Sequence, residues 1–114
     1  MKLLNALLFL LALALPVRAQ DLWQPRVSGV TSNLWSVAFG NGQWVAVGDQ
    51  GTILTSPDGV TWTSRASGFP TRWLVGVGYG THGGSGLWVV VGENGLILTS
   101  PDAITWTEGW NRSE

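Results

Sequence analysis

The chain contains no cysteine, a single lysine, one histidine and one tyrosine among its 114 residues. The absence of cysteine excludes disulfide scaffolds, thiol nucleophiles, cysteine-ligated metal sites and lipoprotein attachment. After residue 19 there is no lysine, and four arginines stand against seven acidic residues, a net charge of −3. A weakly acidic surface of this kind offers no electrostatic footprint for nucleic acid or anionic lipid. The roughly 95 residues that follow residue 19 fit one small domain and are too few for two.

Residues 1–19 have the pattern of a secretory signal peptide. A positive start at Lys2 precedes Leu3–Leu15, which is apolar except for Asn5, and small or apolar residues lead to Ala19. We predict cleavage between Ala19 and Gln20 and hence a secreted or periplasmic bacterial protein. The alternative is a retained membrane anchor, but a helix of this length spans about 20 Å, less than the ~30 Å hydrocarbon core.

The strongest signal in the sequence is an internal repeat. Trp44–Thr63 and Trp88–Thr107 are identical at 14 of 20 positions, at an offset of 44. Upstream, Leu34–Gly40 aligns with Leu74–Gly80 at an offset of 40, and a longer loop over Thr81–Gly86 accounts for the difference. A period of 40–44 residues is typical of propeller blades and solenoid repeats.

Each copy predicts short strands rather than helix, because β-branched and aromatic residues dominate and glycine recurs. The strands are expected at 34–39, 43–47, 52–56 and 61–65, and again at 74–79, 87–91, 96–100 and 104–108. Asn41 and Gly42 form a strong hairpin signal. Val45 and Val47 alternate with apolar neighbours, so both faces of the sheet are apolar, as in a blade between two others. The predicted fold class is all-β, with two four-stranded antiparallel propeller blades.

The chain is expected to divide into a signal peptide (1–19), an N-terminal segment (20–33), two blade repeats (34–68 and 69–110) and a polar tail (111–114). The N-terminal segment holds a spare strand, Trp23–Gly29, which parallels Trp62–Gly68. Two blades are too few for a closed propeller, which needs roughly four to eight. Two explanations stay open: either the chain closes a propeller as a trimer or tetramer, or it is a piece of a longer protein.

The segment Gly51–Trp62 resembles the Asp-box repeats of sialidase-like β-propellers, and it is similar to bacterial repeats akin to the photosystem II assembly and stability factor. The usual box runs Ser-x-Asp-x-Gly-x-Thr-Trp; the box here is one residue shorter, and Ala103 replaces Gly59 in the second copy. The resemblance implies a propeller and a structural box formed by Ser56, Asp58, Thr61 and Trp62, and by Ser100, Asp102, Thr105 and Trp106. Such propellers serve hydrolases, assembly factors and adhesins alike, so the resemblance says little about function.

Hydrogen bonding explains the box without catalysis. Asp58 is expected to accept hydrogen bonds from the backbone of its own turn, as in an Asx turn, with Ser56 or Thr61 closing the other side. Trp62 is expected to bury its ring between blades and to donate its indole N–H to a carbonyl.

The sequence contains no catalytic constellation. A sialidase would need a tyrosine nucleophile, but Tyr79 aligns with Phe39 and is predicted to lie in the core. His82 has no acidic neighbour in the sequence and is interpreted as a solvated loop residue. We therefore predict a protein that is not an enzyme and that has no cofactor and no metal.

Five residues are candidates for contact with a ligand or a partner: Trp73, Trp110, His82, Asp49 and Glu93. Exposed tryptophans stack on sugars or mark interfaces, and Trp73 and Trp110 fall outside the repeat pattern. Asp49 and Glu93 lie at equivalent hairpin tips, where they can bind a cation or a sugar hydroxyl, although turn chemistry also explains them. Five other tryptophans are predicted to pack in the core: Trp35, Trp44, Trp62, Trp88 and Trp106.

These observations predict a secreted, non-catalytic binding or scaffolding module whose partner is a protein or a glycan. The alternative is a carbohydrate-binding lectin that completes its propeller by homo-oligomerisation. A fragment of a sialidase-like glycoside hydrolase is the remote alternative. Neither nucleic acid nor, after cleavage, a membrane is expected as a partner.

Overall fold

The computed structural model describes residues 25–109, so the predicted signal peptide, Trp23 and Trp110 lie outside the described residues. The first sheet contains β1 (Leu34–Gly40), β2 (Gln43–Gly48), β3 (Ile53–Ser56) and β4 (Thr63–Arg65). The second contains β5 (Leu74–His82), β6 (Ser85–Gly92), β7 (Ile97–Ser100) and β8 (Thr107–Glu108). Both sheets are antiparallel, with strands in chain order. The prediction of an all-β chain with two four-stranded antiparallel sheets is confirmed.

Two-residue turns join the first two strands of each sheet. Asn41 and Gly42 have φ angles of 48° and 75°, the left-handed pair that a tight hairpin requires. In the second sheet Gly83 and Gly84 take this role, with φ angles of 61° and 84°. The prediction of a loop over Thr81–Gly86 is therefore wrong, because the glycine pair lets β5 and β6 continue almost to the turn.

The remaining strand boundaries differ from the predictions for local reasons. Short 3-10 turns, Asp49–Gly51 and Glu93–Gly95, precede β3 and β7. The strands β4 and β8 begin later than predicted, because the residues before them belong to the Asp-box turns. Residues 25–33 form no strand, so the spare strand predicted over Trp23–Gly29 is absent from its described part.

The two sheets pack face to face around one apolar core. Val45, Val47 and Ile53 of the first sheet belong to the same buried cluster as Trp88 and Val90 of the second. Two hydrogen bonds cross between the sheets near the rim of this cluster. Gln43 Nε2 donates to the carbonyl of Asp102 at 3.0 Å, and the backbone N–H of Val77 donates to Ser36 Oγ at 3.3 Å. The sheets therefore form one packed unit.

Candidate functional site

The segment of the first copy that resembles an Asp box, called the first box below, closes the loop between β3 and β4 with its own side chains. Asp58 Oδ1 accepts hydrogen bonds from the backbone N–H groups of Val60 and Thr61 at 2.8 and 2.9 Å. Ser56 Oγ donates to the same carboxylate oxygen at 3.1 Å and accepts from the N–H of Gly59 at 2.8 Å. Ser56 is fully buried at the end of β3. The two side chains thus tie the loop backbone to the sheet.

The second box repeats this network. Asp102 Oδ1 accepts from the N–H groups of Ile104 and Thr105 at 2.9 and 3.0 Å. Ser100 Oγ donates to Asp102 at 2.9 Å and accepts from the N–H of Ala103 at 2.8 Å. Ala103 has a φ of 64°, close to the 75° of Gly59, so the replacement preserves the left-handed turn. The threonine of each box contributes its backbone N–H to the carboxylate.

A tryptophan closes each box, but the two rings have different surroundings. Trp62 Nε1 donates to the carbonyl of Gly59 at 3.2 Å, and Trp106 Nε1 donates to that of Ala103 at 3.1 Å. Trp106 packs against the core between the sheets. Trp62 is half-buried on the outer face of the first sheet, beside Ala46. The expectation that the Trp62 ring lies between blades is therefore not met within the described residues.

Hydrogen bonds to the ionised form hold the pKa of both box carboxyls below the ordinary value of 3.8. For Asp58 the backbone N–H of Thr61 contributes most and that of Val60 next. For Asp102 the order is Ile104 and then Thr105. A carboxylate with a lowered pKa, bound by its own turn, is poorly suited to protonate a leaving group. The geometry favours loop folding over acid–base chemistry.

At the opposite end of the strands, two exposed indoles form a stacked pair. The ring centroids of Trp35 and Trp73 lie 6.2 Å apart with an interplanar angle of 24°. The two side chains are 52% and 49% exposed. Trp35 lies in β1, and Trp73 immediately precedes β5. We call these two residues the tryptophan pair.

Asp49 holds one half of the tryptophan pair in place. Its carboxylate accepts hydrogen bonds from the indole N–H of Trp35 and, at 3.1 Å, from Nδ2 of Asn33. Its own N–H donates to the carbonyl of Asn33 at 3.0 Å. Since an ionised carboxylate offers about four lone-pair sites, Asp49 retains acceptor capacity for a ligand hydroxyl.

Glu93 binds the backbone of the other half. Its backbone N–H donates to the carbonyl of Trp73 at 2.9 Å, as that of Asp49 does to Asn33, and its Oε1 accepts from the backbone N–H of Trp73 at 3.2 Å. Trp73 therefore occupies the position that Asn33 has in the first copy. Trp73 therefore belongs to the repeat, although the sequence interpretation placed it outside. The alignment at an offset of 40 extends one residue before β5. Asp49 and Glu93 each anchor the segment that enters a copy of the repeat.

Two tryptophans that repetition placed in the core are exposed. Trp35 was predicted to be buried because it aligns with Val75, but Val75 is itself 47% exposed. Trp44 is 38% exposed, whereas its counterpart Trp88 is fully buried. Repetition alone missed this difference because only one face of the first sheet is covered by the second sheet. Of the tryptophan pair, Trp73 was predicted as a contact residue, whereas Trp35 was predicted to lie in the core.

The other candidate residues do not form a site within residues 25–109. His82 is exposed at the end of β5, at the opposite end of the β5–β6 ladder from Glu93. No group of three or more potential metal ligands occurs in this part of the chain. No helix in it is long and apolar enough to cross a membrane. Comparisons with protein-family models, curated proteins and solved structures found no match to the chain.

Proposed function

We propose that the chain is a secreted, non-catalytic binding or scaffolding module built from two Asp-box blades of the β-propeller kind. The observation that carries this proposal is the tryptophan pair, an exposed aromatic surface in which Asp49 binds the indole of Trp35 and Glu93 binds the backbone of Trp73. Exposed tryptophans supply large contact area at low conformational cost and are enriched at recognition surfaces. The pair lies on strand ends and short turns, where binding residues are commonly positioned by a rigid scaffold.

The blade interpretation rests on the repeat and on how the sheets pack. Each sheet is a four-stranded meander that is apolar on both faces, and the second sheet stacks on the first. These features are those of neighbouring propeller blades. The Asp boxes support the same interpretation because their carboxylates and serines form identical turns at the same point in both copies.

A lectin is the second candidate, and one specific arrangement favours it. The faces of Trp35 and Trp73 offer a stacking surface for the apolar face of a sugar, and the Asp49 carboxylate beside them can accept a hydroxyl. A glycoside hydrolase has less support. Such enzymes use two carboxyl groups about 5–9.5 Å apart across a scissile bond, whereas Asp58 and Asp102 each serve their own turn.

The experiment uses the full chain exported with its own leader, and three variants. Trp73→Ala and Trp35→Ala remove the two rings. Val60→Ala is the control, since Val60 is an exposed apolar residue in the Asp box at the opposite end of the sheet. The probes are a phage-displayed random peptide library and a panel of neutral oligosaccharides, the latter followed by tryptophan fluorescence.

A protein-binding module is supported if peptides are enriched on the wild type and on Val60→Ala but not on the two tryptophan variants. Saccharide binding with the same pattern supports the lectin. If neither probe set binds through the pair, the proposal is wrong. Turnover of fluorogenic glycosides that survives repurification would contradict the non-catalytic function.

Secretion has its own test. We expect the exported protein to begin at Gln20, because Ala19 ends the signal-peptide pattern. Mass spectrometry of the intact exported chain measures this directly. A mass that includes residues 1–19 would indicate the retained anchor instead.

A further inference from the structure

The second sheet does not cover the outer face of the first sheet. On this face Ala46 is buried beside Trp62, whereas Val37, Phe39 and Trp44 are exposed. Cross-strand pairing places Val37 with Ala46 and Phe39 with Trp44 on this side. Phe39 is 55% exposed and Trp44 is 38% exposed. We call the residues Val37, Phe39, Trp44 and Ala46 the aromatic face.

The second sheet also has an outer face, at the other end of the stack. Its residues in β5 are all glycine, and those in β6 are aliphatic: Gly76, Gly78, Gly80, Leu87, Val89 and Val91. Leu87 and Val91 are exposed, and a Cβ built on Gly78 or Gly80 meets nothing within 4 Å. We call these six residues the glycine face.

The interface between the two sheets of one chain, called the internal interface, indicates what could cover these two outer faces. The second sheet contacts the first through Val77, Tyr79, Trp88 and Val90, the counterparts of the aromatic face. The first sheet contacts the second through Ser36, Ala38, Val45 and Val47, the counterparts of residues in the glycine face. The sheets are therefore stacked head to tail, and each outer face corresponds to one side of an interface that already exists.

Residues that are identical in the two copies differ in burial, because each sheet is covered on one face only. Trp88 is fully buried and Trp44 is not, while Ile53 is fully buried and Ile97 is 37% exposed. The aromatic geometry nevertheless persists. The rings of Tyr79 and Trp88 lie 4.9 Å apart at 50°, and those of Phe39 and Trp44 lie 4.8 Å apart at 53°. The aromatic face is thus already arranged like the face that packs inside the chain.

The glycine face has room for an aromatic ring that packs as Tyr79 does inside the chain. Inside the chain the ring of Tyr79 lies against Gly40, where a Cβ would come within 2.4 Å of Cδ1. The counterparts are Phe39 and Gly80, and the space above Gly80 is open. A surface groove lined by Gly80, Leu87 and Val89 among others marks this position.

We propose that the aromatic face of one chain packs on the glycine face of a second copy, so that identical chains continue the internal stacking head to tail. A heterologous contact of this kind generates a closed ring when its rotation closes. With two sheets per chain, a trimer would contain six blades and a tetramer eight, within the roughly four to eight of known propellers. This inference rests on the blade interpretation proposed above, but not on any ligand of the tryptophan pair.

The chemistry of the two faces fits association with a like chain. Neither face contains a charged residue, so their contact buries no unpaired charge. Gly76 and Leu87 replace Ser36 and Gln43, which form the two hydrogen bonds across the internal interface. The contact between chains would therefore depend on apolar burial. Trp35 would lie at the rim of the contact between chains, because its counterpart Val75 stays 47% exposed beside the interface between the two sheets.

The first test is the solution mass of the full chain, exported with its own leader, by light scattering after size exclusion. We expect a single trimer or tetramer with a sheet spectrum. Phe39→Glu blocks the aromatic face and Gly80→Val blocks the glycine face, so each variant is expected to be monomeric with the wild-type spectrum. Phe39→Tyr, which copies the second repeat, is expected to keep the wild-type mass.

The second test mixes the two monomeric variants. Each retains one intact face, so the mixture is expected to form a one-to-one heterodimer and nothing larger. A face-to-face dimer related by a twofold axis would instead leave one of the two variants assembled on its own. A monomeric wild type, or mixed variants that stay monomeric at their highest soluble concentration, would overturn the proposal and favour further blades of another chain as the occupant. The peptide and saccharide tests of the tryptophan pair are unaffected by either result.

Discussion

The ring of Tyr79 lies directly against the backbone of Gly40, so that a methyl group at Gly40 would overlap the Cβ, Cγ and Cδ1 atoms of the tyrosine. These atoms are close to the tyrosine backbone and cannot swing away as the end of a flexible side chain would. Gly40 is buried at the end of β1 and has no left-handed φ, so this close approach is the reason for glycine there.

We expect Gly40→Ala to destabilise the chain by about 1–3 kcal/mol, the usual cost of overpacking a core. The same change at the equivalent Gly80 meets open space and should leave unfolding of the monomer almost unchanged. Urea denaturation of both variants, made in the monomeric Phe39→Glu background, measures the difference. Equal effects at the two glycines would show that the sheets do not stack as described.

Trp88 provides a second matched pair with Trp44. Because Trp88 is fully buried, Trp88→Ala should cost about 3–5 kcal/mol, as large aromatic deletions in cores do. Trp44→Ala should cost much less in the monomer.

The indole N–H of Trp88 is buried and has no hydrogen-bond partner among the described residues. Trp88→Phe, which removes that group and keeps a ring, should therefore be better tolerated than Trp88→Ala by thermal denaturation.

The box serines are expected to matter more than the box threonines. Ser100→Ala leaves the N–H of Ala103 without the acceptor that it has at 2.8 Å, and a buried donor left unpaired costs about 1–3 kcal/mol. Thr105→Val is the control, because it keeps the backbone N–H that binds Asp102 and alters only an exposed side chain. Denaturant midpoints of the two variants should differ clearly. A larger loss for Thr105→Val would contradict the hydrogen-bond network.

Much of the fold could be predicted from the sequence because its signals are local. The hairpin at Asn41 and Gly42 and the period of 40–44 residues were sufficient to place eight strands in two sheets. The errors arose where local geometry shifted the pairing. The Gly83-Gly84 turn extended a hairpin that was predicted as a loop, and the Asp-box turns shortened β4 and β8.

The candidate site could be predicted only in part, because repetition records the position of a residue within its sheet and not whether a neighbouring sheet covers it. Trp44 and Trp88 are the same residue in the same place of the repeat, yet only Trp88 is covered by a neighbouring sheet. The tryptophan pair combines Trp35, which replaces a valine, with Trp73, which replaces Asn33. Such departures from the repeat were the available signal, since the scaffold itself does not need them.

The box carboxyls make stability depend on pH in a defined direction. The native pKa of Asp58 and of Asp102 lies below the ordinary value of 3.8, chiefly because backbone N–H groups bind the ionised form. Their stabilisation is therefore complete above the ordinary pKa and is lost as the pH falls through the lower native value. We expect the urea midpoint of the monomeric Gly80→Val background, which adds no titratable group, to be constant near neutrality and to decline below about pH 4.

The variant that tests this combines Asp58→Asn with Asp102→Asn in that background. It should be less stable at neutral pH, and its urea midpoint should change less on acidification, because the two titrating groups are gone. Glu108→Gln removes one exposed carboxylate outside both boxes and measures the effect of losing a single charge elsewhere. If the double variant and Glu108→Gln show the same acid profile as the background, the box carboxylates are not what links folding to pH, and the turn would have to be held by the serines alone.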